Sequence, residues 1–235
     1  MKNVEYNQMI DLSDFEKRVS SEEFIEKVNS LFMNTRNSED GISRLRLRKD
    51  NCKKLIEELL PISQFLKVFE RLGLDLYCEY FSGNQNFDAK IYCGGWFVEQ
   101  QVMCPEYFIE VSVSIHPKDH LKRECLEKGI PCFGGNNIER LKDGTIQSLP
   151  RVFTPDNLIN EHFEYIKSRI EDKVNKEYPD KTYLIIPLFP DTLIMQYEWI
   201  EIIKKLIDYF KLERSIAKFC GLFIYDSISQ RSIFL

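Results

Sequence analysis

Long apolar runs are absent from this sequence. No stretch approaches the roughly 18 apolar residues that a membrane-spanning helix needs, and the opening MKNVEYNQMIDLSDFEKR lacks the apolar central segment of a secretory leader. We therefore expect neither membrane insertion nor export, and predict a cytoplasmic location. Core-forming residues are plentiful, since 43% of the 235 residues are hydrophobic and 13% are aromatic.

Histidine is scarce and the cysteines are dispersed. The chain has three histidines and seven cysteines, and the cysteines lack the short spacing of a zinc knuckle. An odd number of scattered cysteines indicates free thiols in a reducing compartment. His116 and His120, four residues apart, with Cys125 and Cys132 after them, are a candidate zinc set. Pro117 weighs against it, because a proline at a helix start places His116 before the helix.

Negatively charged residues outnumber positively charged ones. The formal net charge is −5 and the isoelectric point is near 5.4, so no global field attracts nucleic acid. One local basic cluster stands out, Arg44, Arg46, Arg48 and Lys49, which is either a solvated surface or a phosphate-binding patch.

Signatures of two other enzyme classes are missing. The chain has no Gly-x-Ser-x-Gly elbow of a nucleophilic hydrolase. Gly134-Gly135-Asn136-Asn137 lacks the lysine and the strand-to-helix context of a phosphate loop, and is interpreted as a turn.

Residues 1–72 have the apolar spacing of helices. Ser20-Ser21-Glu22-Glu23 is a helix start that continues through FIEKVNSLFM, and KKLIEELLPISQFLKVFERLG keeps helical periodicity until Gly73. Pro61 is expected to kink or split the second helix because its nitrogen carries no hydrogen.

The period changes at Leu74. LDLYCEYF, DAKIYC, WFVEQQV and YFIEVSVSI alternate as strands separated by turn residues, which predicts an antiparallel meander. A helix from Pro117 that Gly129 closes, a short strand IPCF and a loop or hairpin around residues 142–144 follow. The remainder alternates helix 155–177, strand YLIIPLF, helix YEWIEIIKKLIDYF and strand FCGLFIYD, which is typical of parallel βα units.

These elements define the predicted fold class. We predict an α/β (α+β) fold with a mixed sheet, built around a central antiparallel meander and flanked by helices. With no repeat and no low-complexity linker, residues 1–235 are predicted to form a single domain, with a helical segment at 1–72 and an α/β core at 74–226.

Two carboxylates interrupt the apolar strands of the meander. Asp88 begins the second strand and Glu110 lies in the last, so a twisted meander can bring them to the same end or face, and Glu79 in the first strand could join them. Oxygen ligands of this kind suit Mg²⁺, which activates water for attack on a phosphodiester.

The order of elements, with Asp88 in FDAKI and Glu110 in FIEVS, resembles the PD-(D/E)XK (restriction-endonuclease-like) nuclease superfamily, in particular an uncharacterised bacterial branch with a degenerate motif. The resemblance spans about Leu74 to Asp226. It implies a core of a helix, three antiparallel strands, a helix and a further strand, with Asp88 and Glu110 as catalytic Mg²⁺ ligands, and nucleic acid as the substrate.

One position departs from the superfamily pattern. An active member has lysine two residues after the glutamate, where this chain has Ser112. The catalytic cation would then come from Lys118 or Lys122 on the following helix, or from Lys90 beside Asp88. If the glutamate of the motif is instead Glu99 in WFVEQQ, the position two residues later is Gln101, which is not a lysine either.

Two functions therefore stay open. The first is a Mg²⁺-dependent nuclease. The second is a catalytically inactive module of the same fold that binds a protein partner, for example in a bacterial defence or toxin-related system. The missing lysine and the acidic isoelectric point favour the second. A purely structural interpretation of the acids is also open, with Asp88 as a turn residue and Glu110, Ser112 and Ser114 on a solvent-facing side of an edge strand.

Overall fold

The chain is built around a mixed β-sheet. The computed structural model describes residues 10–132, 138–150, 152, 154–190, 192–212 and 218–235. The strands are Val19–Ser20 (β1), Asp75–Tyr80 (β2), Ala89–Gly94 (β3), Glu106–Val111 (β4), Ile138–Arg140 (β5), Ile146–Ser148 (β6), Thr182–Leu188 (β7), Gly221–Asp226 (β8) and Ser232–Phe234 (β9). Seven of them form one sheet in the order β1-β2-β3-β4-β7-β8-β9, and β5 and β6 form a separate hairpin.

Helices connect and cover these strands. They are Ser21–Asn37 (α1), Gly41–Leu47 (α2), Cys52–Lys54 (α3), Leu60–Phe69 (α4), Trp96–Glu99 (α5), Asp119–Glu127 (α6), Pro155–Val174 (α7) and Gln196–Leu212 (α8), with a π-helical turn at Leu55–Leu59 between α3 and α4. None of the helices in the described ranges is long and apolar enough to cross a bilayer.

The sheet combines an antiparallel and a parallel half. β2, β3 and β4 pair antiparallel in sequence order, whereas β4 pairs parallel with β7, and β7 parallel with β8. The predicted mixed α/β class with a central meander is therefore confirmed. Since β4 belongs to both halves, its residues contact the meander on one side and the βα units on the other.

Each face of the sheet packs against a different pair of helices. Ile109, Val111, Ile185 and Phe223 join the core of α1 and α4, while Leu184 and Ile186 join that of α7 and α8. Because cross-strand partners share a face, Glu110 lies on the α7 side, opposite Leu184 in the register.

The predicted strand WFVEQQV is wrong, since Trp96–Glu99 forms the helix α5. Gly95 has a φ of +80°, which turns the chain out of β3, and an added Cβ there would lie 2.7 Å from the Gly73 carbonyl oxygen. The Cys93 N–H donates to the Pro105 carbonyl at 2.8 Å, so the chain leading into β4 occupies the edge of β3 that this segment would need. The meander therefore has three strands.

Other boundaries also differ from prediction. Residues 10–18 precede β1 and are not helical, whereas α1 begins where expected, with the Ser20 hydroxyl accepting from the Glu23 N–H at 3.2 Å. Residues 130–132 of IPCF form no strand, and α6 begins at Asp119 rather than Pro117. Residues 1–9, Phe133 and the turn predicted at 134–137 lie outside the described residues.

Pro61 does not split the helix, since the π-turn Leu55–Leu59 continues directly into α4. The Leu60 N–H bonds to the Leu55 carbonyl, the spacing of a π-turn, immediately before the proline. A π-turn is a frequent way to absorb a residue that cannot complete the normal helical hydrogen bond. Glu58 projects from this turn.

Candidate functional site

Asp88 and Glu110 lie side by side at the junction of β3 and β4. The Asp88 N–H donates to the Ile109 carbonyl at 2.7 Å, and the Val111 N–H donates to Asp88 Oδ2, also at 2.7 Å. The Asp88 carboxylate thus replaces a backbone acceptor where the β3–β4 ladder ends. This bond holds the side chain of Asp88 next to the strand position that carries Glu110.

Glu110 is buried and paired, which contradicts its interpretation as a solvent-facing residue. Its side chain is 10% exposed, and its Oε1 accepts a hydrogen bond from Nζ of Lys173, whose side chain is 18% exposed. Ser112 and Ser114, on the same face, are also buried. The polar face of β4 is therefore covered by α7 and is not a wet edge.

Lys173 reaches Glu110 because α7 packs along the parallel strands. Ile166, Ile170 and Val174 recur at helical spacing and bury one side of α7 in the core. Lys173 precedes Val174, in the last turn, so it lies at the border of that buried side. A cation is also favoured there by the partial negative charge at the end of the helix.

A further carboxylate, Glu58, lies close enough to Asp88 for its charge to act on that residue. It projects from the π-turn and accepts a hydrogen bond from the hydroxyl of Tyr80, a residue of β2 that is opposite Ala89 in the register. Burial raises the pKa of Glu58, and the Tyr80 hydroxyl offsets part of that increase.

Several groups of the cluster act on the pKa of the Asp88 carboxyl. Burial, and then the neighbouring Glu110 carboxylate, raise the pKa of Asp88 to about 7; the Val111 N–H opposes the increase, Glu58 adds to it and Lys173 opposes it. The carboxyl therefore changes charge near neutral pH. Any ligand cation would favour its ionised form.

The hydroxyl of Tyr178 is buried without a hydrogen-bond partner in the described part of the chain. The residue follows α7, and its ring lies 5.1 Å from the Phe219 ring. Burial, followed by the charges of Glu110 and Asp88, raises the pKa of Tyr178, so the hydroxyl stays protonated. A buried donor without an acceptor is costly unless a ligand supplies one.

The structure does not bring the other predicted residues to this cluster. Glu79 shares the face of Glu110, but its carboxylate accepts from the Tyr92 hydroxyl at 2.7 Å, farther along β3 from Asp88. Lys90 forms an ion pair with Glu106 at 2.9 Å.

Within the described residues, the α6 lysines form no hydrogen bond or ion pair with the two carboxylates either. Lys118 is the N-cap residue of α6, and Lys122 lies in its first turns. The backbone N–H of Ser112 donates to the Ile185 carbonyl at 2.8 Å.

The zinc set is not assembled. Nδ1 of His116 accepts a hydrogen bond from the Lys118 N–H at 2.9 Å. Nδ1 of the exposed His120 lies 3.2 Å from the Pro117 carbonyl oxygen. Across the described ranges, no three His, Cys, Asp or Glu side chains group closely enough to hold a metal ion. The predicted trio of Asp88, Glu110 and Glu79 is therefore also not grouped closely enough to hold a metal ion.

Each of the two carboxylates keeps one oxygen that could serve as a ligand of a divalent cation. In the described part of the chain, Oδ1 of Asp88 and Oε2 of Glu110 accept no hydrogen bond. Mg²⁺ commonly takes one or two protein carboxylates and completes its octahedron with water and substrate phosphate. The orphan Tyr178 hydroxyl is consistent with a site that is completed by a ligand.

Comparisons with protein-family models, with curated proteins and with solved structures found no match to this chain. Any functional assignment therefore depends on the arrangement of Asp88, Glu110 and Lys173 and on the order of the elements that position them.

Sequence reasoning missed Lys173, Glu58 and Tyr178. Lys173 is 63 residues from Glu110, and no spacing rule links the two. The only available signal was indirect: Lys173 adjoins the apolar stripe of α7, next to Val174. Glu58 and Tyr178 resemble ordinary surface residues in the sequence.

Proposed function

We propose that this protein is a metal-dependent nuclease with a restriction-endonuclease-like core. The observation that carries the proposal is the cluster of two adjacent carboxylates, Asp88 and Glu110, with an ammonium group, Lys173, bonded to one of them. Carboxylates for a divalent cation and a lysine for developing negative charge are the groups that phosphodiester hydrolysis requires.

The order of elements supports the same proposal. Helix α4, the meander β2-β3-β4, helix α6 after the third strand of the meander, and then α7 and the strand β7, parallel to β4, occur in this order along the chain, with the hairpin β5-β6 between α6 and α7. Asp88 precedes the second strand of the meander and Glu110 lies in the third, as the resemblance requires.

Lys173 takes the role that Ser112 cannot fill. A hydroxyl carries no positive charge, whereas an ammonium group next to Glu110 can orient water and stabilise charge that develops on the phosphate. Lys118, Lys122 and Lys90 are no longer needed for this role.

Each residue then has a defined task. Asp88 and Glu110 would hold Mg²⁺, which on binding supplies Lewis acidity and lowers the pKa of a water molecule. Lys173 holds Glu110 in place and supplies positive charge. Tyr178, as a neutral donor, would give its O–H to a phosphate oxygen of the substrate, and Glu58 adds negative charge beside Asp88.

Cation binding should release a proton near neutral pH. Because the pKa of Asp88 is raised to about 7, a cation must displace a proton from that carboxyl at lower pH. We expect the affinity for Mg²⁺ or Mn²⁺ to fall up to about tenfold for each pH unit below 7, and to level off above pH 8. Calorimetry in buffers of different ionisation enthalpy measures the released proton directly.

The matched control for this measurement is Asp88→Asn, which keeps an acceptor for the Val111 N–H but cannot ionise. In that variant the proton release should disappear. Cation binding that is equally strong at pH 6 and pH 8 in the wild type would contradict the assignment of Asp88 as a ligand.

Tyr178→Phe separates a functional hydroxyl from a structural one. Removal of a buried hydroxyl without a partner should leave the free energy of unfolding unchanged or raise it by about 1 kcal/mol. If the hydroxyl donates to substrate, cleavage should fall by roughly tenfold or more while thermal stability is kept. A variant with wild-type kinetics would exclude Tyr178 from the site.

A catalytically inactive module remains the second candidate, and one observation favours it. One oxygen of each carboxylate is already satisfied within the protein, Asp88 Oδ2 by Val111 and Glu110 Oε1 by Lys173. Such a cluster can exist purely as a buried structural network. A protein partner, rather than nucleic acid, would then bind this fold. The two candidates differ in cation binding, which the calorimetry above measures.

A further inference from the structure

The basic cluster between α1 and α3 divides into paired and unpaired members. Three of its four cations have acidic partners: Arg44 with Asp50 at 3.6 Å, Lys49 with Glu127 at 2.7 Å, and Arg48 with Glu57. These pairs connect α2 to its neighbours and need no ligand.

Arg46 differs from the other three. Together with Arg36, in the last turn of α1, it lines a cavity of about 390 Å³ between the end of α1, α2 and α6. Within the described ranges, neither Arg36 nor Arg46 forms a hydrogen bond or an ion pair. Two arginines thus line one concave site, and neither is neutralised by a carboxylate in an ion pair within the described residues.

The rest of the lining is of two kinds. Ser38, Ser43 and Asp40 provide hydroxyl and carboxylate oxygens, and Ser38 also donates to the Thr35 carbonyl at 2.7 Å. The apolar wall consists of Ile42, Leu47 and Leu126. Ile42 and Leu126 are 50% and 44% exposed, so this wall is accessible from solvent.

We infer that this cavity binds the phosphate group of a nucleotide. Guanidinium groups match phosphate oxygens in a bidentate geometry and stay charged at any physiological pH. The apolar wall offers contact to a base or sugar ring, and Asp40 can accept a hydrogen bond from a sugar hydroxyl. The volume falls in the range of small-ligand sites.

This site is independent of the Asp88 cluster, because it needs neither a metal ion nor catalysis. Its ligand is either a free nucleotide or the terminal phosphate of a nucleic acid strand. The recognised chemistry, one phosphate with an adjoining nucleoside, is the same in both cases.

Calorimetry in the presence of a chelator tests the inference on the full chain. The probes are the four ribonucleoside monophosphates and, for comparison, the four nucleosides without phosphate. We expect at least one monophosphate to bind at least tenfold more tightly than its nucleoside. Equal affinities for a nucleotide and its nucleoside, or no binding of any monophosphate, would overturn the inference.

The variant pair Arg36→Gln with Arg46→Gln should weaken that binding at least tenfold. The matched control is Lys204→Gln with Lys211→Gln on α8, which removes the same charge from exposed lysines that pair with Glu201 and Asp208. The control should stay within twofold of wild type. If both double variants lose affinity equally, the attraction is global charge and the site does not exist.

Competition identifies the source of the phosphate. A single-stranded oligonucleotide with a terminal phosphate that displaces the mononucleotide assigns the site to strand ends, and failure to displace it assigns the site to free nucleotides. Both results support a phosphate site. Displacement by the same oligonucleotide without its terminal phosphate, at equal concentration, would contradict it.

Discussion

Asp88→Asn should reduce metal-dependent cleavage of nucleic acid by about a thousandfold or more. The change removes one negative ligand from a two-carboxylate site, and the lost charge stabilisation amounts to several kcal/mol of the barrier. Its geometry is conservative, because the asparagine side-chain oxygen can still accept the Val111 N–H that Asp88 accepts at 2.7 Å. The measurement is cleavage of a panel of DNA and RNA substrates with Mg²⁺ and with Mn²⁺.

The same variant has a distinctive effect on stability. Burial and Glu110 raise the pKa of Asp88 to about 7 in the folded protein, above the value of 3.8 for an unperturbed aspartate. The folded state therefore holds this proton more tightly than the unfolded state does. The contribution to stability is fully present below pH 4 and is lost as the pH rises through 7.

The Asp88→Asn variant does not lose this stability as the pH rises, because asparagine does not ionise. In denaturant unfolding, Asp88→Asn should be more stable than wild type at pH 8, by an amount on the order of a few kcal/mol, and should gain little at pH 4. A gain in stability at pH 8 together with lost activity is the pattern of a functional residue that is retained at a cost to the fold. Glu79→Gln serves as the control, since Glu79 bonds to Tyr92 instead and should leave cleavage nearly unchanged.

Retained activity in Asp88→Asn would exclude the proposed site. No cleavage by the wild type across the panel with either metal ion, combined with no cation binding in calorimetry, would instead favour the inactive module. These results differ from each other, so each candidate function has its own test.

Lys173→Met should destabilise the fold by about 3–5 kcal/mol. Lys173 and Glu110 form an ion pair with side chains only 18% and 10% exposed, and removal of the ammonium group leaves a buried carboxylate without its counter-charge. Methionine approximates the length of the lysine stem, so the packing of α7 should change little. Unfolding in denaturant at pH 7 measures the loss.

A double variant separates structure from catalysis. Glu110→Gln combined with Lys173→Met removes both charges, and should recover most of the stability that Lys173→Met loses, because no uncompensated charge remains. Cleavage should remain absent, since a ligand and the cation are both missing. Equal instability of the single and double variants would show that packing, and not charge pairing, explains the role of Lys173.

The prediction of the fold from sequence was most accurate where local patterns determine structure. The Ser20 helix start, the turn around residues 142–144 and the apolar runs of β7 and β8 depend on caps, turns and continuous burial, which neighbouring residues encode. WFVEQQV was predicted incorrectly because a short apolar run suits a helix or a strand equally well. Its state depended on Gly95 and on the pairing of β3 with β4, which are tertiary features.

The candidate site divides in the same way. The sequence predicted that a twisted meander could bring Asp88 and Glu110 to the same end or face. Only the absence of a strand at 96–99 made their strands direct neighbours. Their burial could not be predicted, since an alternating polar face is compatible with solvent or with a covering helix. The packing of α7 decided that Glu110 is buried.

The sequence by itself therefore determined the helix start at Ser20, the apolar strands β7 and β8 and the presence of two acids in the meander, because each depends on periodicity, caps and turns along the chain. Only the tertiary structure decided that Lys173 bonds to Glu110, that Glu58 and Tyr178 adjoin the cluster and that the pKa of Asp88 lies near 7. The physical reason is range: these properties arise from charges and burial contributed by segments far apart in sequence, which meet only when α7 and the π-turn pack against the sheet.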